Sequence, residues 1–134
     1  MIPQNKQNQK KILIVDDEPD ILDLLKSILT IAKPPALTYD IFSVTNGPQA
    51  IQTTRDIKPD LILLDLIMPV MNGYEVCKII KSDQKLSSIP IVLVSAYTSV
   101  ESEEQAKQHG AEQFIKKPFD FKELTGVVEK YLTR

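Results

Sequence analysis

The sequence predicts an α/β fold: a doubly wound, five-stranded parallel sheet covered by five helices. Three observations carry this. Apolar runs of strand length recur five times along the 134 residues, segments with helical spacing lie between them, and turn signals fall at the junctions. Strands separated by helices require crossover connections, which are right-handed and make the sheet parallel. Runs such as LILL (61–64) and IVLV (91–94) are apolar at every position, as strands buried on both faces are.

The elements follow in order. KILIV (11–15) reads as the first strand. Ile21, Leu24, Leu25, Ile28 and Leu29 then repeat at helical spacing behind Pro19, which suits a first helical turn. AKPPALT (32–38) connects to the second strand, YDIFSV (39–44); its two prolines stiffen it, which suits either a contact site or a spacer, with the spacer preferred. The second helix opens at Gly47-Pro48 and offers Ala50, Ile51 and Thr54 to a core. Lys58-Pro59-Asp60 turns into the third strand, LILLD (61–65). After Asn72-Gly73 a third helix carries Tyr74, Val76, Cys77, Ile79 and Ile80, and Ser88-Ile89-Pro90 leads into IVLVS (91–95). The fourth helix, about 99–109, is polar; Thr98 and Glu101 have capping-box spacing, and only Val100 and Ala106 suit a core. Gly110 precedes the short strand QFIK (113–116), and Phe121, Leu124, Val128, Tyr131 and Leu132 mark the closing helix.

Composition narrows the function. A hydrophobic content of 43% and a charged content of 25% are ordinary for a soluble globular domain, and residues 10–134 form one such domain behind a polar tail at 1–9. The net charge of -2 disfavours nonspecific nucleic-acid binding, which needs a basic face. No apolar run is long enough to span a membrane, and the tail lacks a signal-peptide core. The single Cys77 forms no internal disulfide, which suits a cytoplasmic protein, and reads as a packing residue. The lone His109 has no companion ligand at zinc spacing.

In a doubly wound sheet ligands bind beyond the carboxyl ends of the strands. Those positions hold Asp16 and Asp17, then Thr45-Asn46, Asp65, Ser95 and Lys117. With the flavodoxin-like order 2-1-3-4-5, strands one and three are neighbours, so three carboxylates converge. Their repulsion raises their pKa values or calls for a cation, and an all-oxygen site with a phosphate suits Mg²⁺. Lys117 and Ser95 can hold phosphoryl oxygens while a carboxylate attacks phosphorus.

Asp16-Asp17, DLIMPVMNG from Asp65, Ser95-Ala96 and Lys117-Pro118, in this order, resemble the receiver domain of two-component response regulators, of chemotaxis-regulator type. The resemblance covers residues 10–133. It implies a signalling module, not an enzyme, that takes a phosphoryl group on Asp65 from a histidine kinase or histidine phosphotransfer protein and passes the signal to a downstream target protein. It implies Mg²⁺ bound by Asp17, Asp65 and the backbone carbonyl of Ile67, with Asp16 assisting. Ser95 and Lys117 would contact the phosphoryl oxygens, Phe114 would be the switch aromatic, and the Lys117-Pro118 peptide would be cis. Helix four, strand five and helix five would form the output surface. Ile67 and Tyr97, two residues after Asp65 and Ser95, would govern the access of water to the phosphorus.

Two other classes fit less well. A haloacid-dehalogenase-type phosphatase needs a proton donor two residues after its aspartate, where this chain has Ile67. A flavodoxin-like cofactor carrier needs a phosphate-cradling first loop, and Asp16-Asp17-Glu18 repels phosphate unless a metal intervenes. The intact set at 16, 17, 65, 95 and 117 also argues against a degenerate receiver. The closing helix reaches the end of the sequence, so the expectation is a stand-alone receiver or a fragment of a larger regulator or hybrid kinase.

Overall fold

The computed structural model describes residues 8–96 and 100–133, with the side chains of all of these but 100–102. Tyr97, Thr98 and the side chain of Glu101, named above as water gate and helix cap, lie outside the described residues. The elements alternate as β1 (Gln9–Val15), α1 (Pro19–Ala32), β2 (Thr38–Val44), α2 (Gly47–Ile57), β3 (Leu61–Asp65), α3 (Gly73–Ser82), β4 (Ile91–Ser95), α4 (Val100–Gln108), β5 (Gln113–Lys116) and α5 (Phe121–Leu132). All strand pairs are parallel and the order is β2-β1-β3-β4-β5, as expected.

β1 starts two residues earlier than its apolar run, because Gln9 and Lys10 still pair with Thr38 and Tyr39 of β2. The register sets Ile14 beside Leu63 and Leu63 beside Val92. Alternate residues therefore feed two cores. Ile12, Ile14, Leu61 and Leu63 face α1 and α5, whereas Leu13, Val15, Ile62 and Leu64 face α2, α3 and α4. Trimming Leu63, which is 1% exposed, to alanine would cost about 2–5 kcal/mol. β2 is an edge strand, and no residue of it is fully buried.

Local sequence explains most helix ends. Asn46 accepts the Gln49 amide to cap α2, and Lys58 closes that helix in the left-handed region, its amide donating to Thr54. Asn72 and Glu75 form a reciprocal capping box on α3. Asp60 fixes the turn before β3 by accepting the Lys11 amide at 2.8 Å. The connection after α1 is tied down by Leu37, which is buried and whose amide donates to the Pro34 carbonyl.

Three helical stripes differ from the sequence reading. On α1 the buried residues are Leu22, Leu25 and Leu29, while Leu24 is 47% exposed. Ile79 on α3 and Phe121 on α5 also face outward, and Val127 takes a core position on α5. Cys77 is buried as expected; its thiol donates to the His109 carbonyl at 3.2 Å, and burial pushes its pKa up to about 11. The His109 ring stacks on Tyr74.

Candidate functional site

The site lies at the carboxyl ends of β1, β3, β4 and β5, where each apolar run stops at a polar residue. Asp16 follows directly on β1, and its amide donates to the Val44 carbonyl. Its carboxylate is 2% exposed and accepts the Glu18 amide at 2.9 Å and the Lys117 ammonium at 2.7 Å. Asp65 ends β3, is 5% exposed, and accepts Lys117 at 3.3 Å together with the Ile67 amide. One lysine thus serves two buried acids.

That ratio sets the electrostatics. Burial, and then the charge of Asp16, pushes the Asp65 carboxyl up to about 6; Lys117 and the Ile67 amide pull the other way and are outweighed. Burial also pulls the Lys117 ammonium down, but its hydrogen bond to Asp16 and the charges of Asp65 and Asp16 win, leaving its pKa raised. The site is short of positive charge.

Lys117 is placed by backbone as well as by charge. Its amide donates to the Ser95 carbonyl at 2.8 Å, and the Lys117-Pro118 peptide is cis, as the resemblance implied. Ser95 ends β4 and is 1% exposed. Gly73 keeps the loop after Asp65 closed. Its amide donates to the Leu66 carbonyl at 2.8 Å, and a Cβ there would lie 2.7 Å from the Asp65 carbonyl oxygen and 2.9 Å from the Leu66 Cα. Only glycine permits that approach.

Asp17, Glu18, Asp65, Ile67, Ser95, Ala96 and Lys117 line a cleft of about 300 Å³. The sequence-predicted residues Asp17, Asp65, Ile67, Ser95 and Lys117 share this lining, and Asp16 joins them through its bond to Lys117. Ile67 contributes an amide to Asp65 and a side chain that is 56% exposed. Phe114 stands apart: it packs partly into the core on β5 and lines a separate groove with Ala106, Lys107 and Lys130.

Glu18 was missed by sequence reasoning. Its carboxylate, with those of Asp16 and Asp17, can offer oxygens within 4.8 Å of one another, and the acidic run at 16–18 was the available signal. The hard oxygen donors and the unbalanced charge fit a divalent cation. Also unforeseen was Lys81, whose ammonium bridges the Ser87 and Ile89 carbonyls and Glu112 while Glu112 accepts the Ile91 amide, tying α3 to the starts of β4 and β5.

Residues 12–129 match the family model of the response regulator receiver domain. The chain belongs to this family. The receiver is 35% identical over 94% of its length to the DNA-binding response regulator MtrA of Mycolicibacterium smegmatis, covering 52% of that protein; it spans about half the length of the curated relatives it matches. A putative response regulator from Chloroflexus aurantiacus superposes with a TM-score of 0.85 at 26% identity, covering 94% of this chain and 99% of the other. The receiver domain of a sensor histidine kinase from Pseudomonas aeruginosa, described with a magnesium ion coordinated in its active-site cleft, gives a TM-score of 0.82 at 25% identity, covering 94% and 99%. Receivers act with histidine kinases and downstream effectors in phosphorelay signalling, and they bind Mg²⁺ in the active site. Among the described residues no helix of this receiver is long and apolar enough to cross a membrane.

Proposed function

We propose that this receiver takes a phosphoryl group onto the Asp65 carboxylate from a phosphohistidine of a histidine kinase or histidine phosphotransfer protein. The single observation that supports the reading is the sharing of Lys117, in the lining of an open cleft, by two buried carboxylates, of which Asp65 faces the cleft. Burial and the charge of Asp16 disfavour a bare negative charge on Asp65, which sits at the end of β3 and is accessible from the cleft. An Asp65 oxygen attacks phosphorus as the phosphorus–nitrogen bond of the donor breaks, and the imidazole leaves with the electron pair. Lys117 meets the phosphoryl oxygens, and Ser95, at the end of the adjacent strand, supplies a hydroxyl to one of them.

Asp16, Asp17, Asp65 and the Ile67 carbonyl would hold Mg²⁺, with Glu18 beside them. When bound, the ion neutralises charge on the phosphoryl oxygens during transfer. A haloacid-dehalogenase-type phosphatase is not supported, since Ile67 has no proton to give. The signal leaves through α4, β5 and α5. Ser95 is paired with Lys116 on β5, and Phe114 lies two residues back on that strand. A shift of Ser95 toward the phosphoryl group makes room for Phe114 to turn inward from the α4–α5 groove. α4 suits this role because, of its side chains at 103–108, only Ala106 is buried.

The test is intact mass after incubation with phosphoramidate and Mg²⁺. The parent gains one acid-labile phosphoryl group and Asp65→Asn gains none. Equal labelling of the two would overturn the assignment.

A further inference from the structure

An aromatic pair fastens the end of α4 to α3. The ring of His109, one residue past α4, stacks on Tyr74 of α3, with centroids 5.0 Å apart and ring planes 24° from parallel. Its Nδ1 lies 2.7 Å from the Gln105 carbonyl, an oxygen that can only accept, so Nδ1 carries the proton and donates. The same carbonyl takes the His109 amide at 3.0 Å. The ring is therefore bonded to the last turn of α4 while its face rests on α3.

The two sides of the stack differ in firmness. Tyr74 stands on a helix whose Val76, Cys77 and Ile80 are fully buried, directly after Gly73, which lies against the Asp65 carbonyl. α4 gives the core only Ala106 among its side chains at 103–108, and Ala106 borders the groove that Phe114 lines. When Phe114 leaves that groove, Ala106 loses a neighbour one residue from the Gln105 carbonyl. A shift of this turn carries the His109 ring with it, off a Tyr74 that stays in place.

Resting on the phosphoryl-acceptor reading, we infer that the Tyr74–His109 pair is a latch. It favours the arrangement with Phe114 in the groove, and phosphorylation of Asp65 has to break it. An aromatic pair of this kind changes an equilibrium by about two- to ten-fold. The latch acts at a distance from the chemistry, since other residues line the Asp65 cleft. Through linkage, a contact made only in the unswitched arrangement weakens binding of every group that favours the switched one. The pair thus sets how readily this receiver responds.

The experiment is a double-mutant cycle of Tyr74→Leu, His109→Ala and the two together. It reads the calorimetric affinity for beryllofluoride, a phosphoryl mimic, in excess Mg²⁺, with hydrogen exchange of amides 103–108 alongside. Each single variant should bind the mimic about three-fold tighter or more and label faster with phosphoramidate. The double variant should be no tighter than the better single one, and the α4 amides should exchange faster in all three. Unchanged or weaker binding in the folded single variants would overturn the latch. Faster exchange with unchanged affinity would also overturn it, because the pair would then be a structural contact alone. Additive gains would do the same, because the two residues would be acting independently. If one single variant melts too low to titrate, the other still decides. A parent that neither binds beryllofluoride nor labels with phosphoramidate would overturn the phosphoryl-acceptor reading itself, a result distinct from all of these.

Discussion

Replacing Asp65 by asparagine should make the metal-free protein more stable at neutral pH. The Asp65 carboxyl titrates near 6 in the fold against 3.8 in its ordinary state, because burial and Asp16 penalise its charge. The folded protein therefore binds this proton more tightly than the unfolded chain does. Stability falls as pH rises through the window from about 4 to about 6 and stays lower above it. A shift of about two units corresponds to about 3 kcal/mol. Asparagine copies the protonated acid in size and lacks its charge, and Lys117 keeps its 2.7 Å partner in Asp16, so most of the penalty should be relieved. An increase of about 1–3 kcal/mol is expected near pH 7, or several degrees in Tm for a domain of this size. Thermal and urea unfolding followed by circular dichroism, in chelator, measures it. Near pH 4 the gap between parent and variant should close, and excess Mg²⁺ should narrow it at pH 7 by stabilising the parent more. A variant no more stable than the parent at pH 7, or equally stabilised at both pH values, would refute the account of Asp65 as a charge held against its environment.

Three further substitutions probe the site. Asp17→Asn should weaken Mg²⁺ binding by ten-fold or more, about 1.4 kcal/mol, in a calorimetric titration; unchanged affinity would move the ion elsewhere. Gly73→Ala should destabilise by about 1–3 kcal/mol, since its Cβ meets backbone atoms 2.7 Å and 2.9 Å away, and should slow labelling of Asp65 by shifting its carbonyl. Normal stability and labelling in that variant would mean the loop yields easily. Ile67→Asn should speed loss of the phosphoryl group several-fold, a barrier change of about 1 kcal/mol, by letting a water be oriented where a branched apolar side chain now lines the cleft. Decay of the isolated phosphoprotein no faster than in the parent would refute that role.

The sheet was legible because its central strands are buried on both faces, so LILL and IVLV carry no polar interruption until Asp65 and Ser95. Once the strand ends were placed, the parallel topology brought Asp16, Asp65 and Lys117 together across 101 positions of sequence. What stayed hidden depends on packing between elements. The apolar residues of α1 cover more than one face, and only the fit against the sheet and α5 selects Leu22 over Leu24. Lys81 and Glu112 are 31 residues apart and look like ordinary surface charges until the turn at Gly110 lays them side by side. Val70 is the reverse case, because valine argues against the left-handed backbone it adopts.

The burial of Cys77 has a practical consequence. A thiol with no exposed surface, protonated well above neutral pH, is poorly available to maleimides and iodoacetamides. The only sulfhydryl of the chain is therefore silent in its native state. A cysteine introduced on an outward-facing position such as Lys122 or Lys130 can carry a fluorophore or spin label by itself, without first replacing Cys77 and opening a hole in the α3 face of the core. Distances to such a probe, read with and without a phosphate mimic, report motion of the α4–β5–α5 side against an unaltered interior.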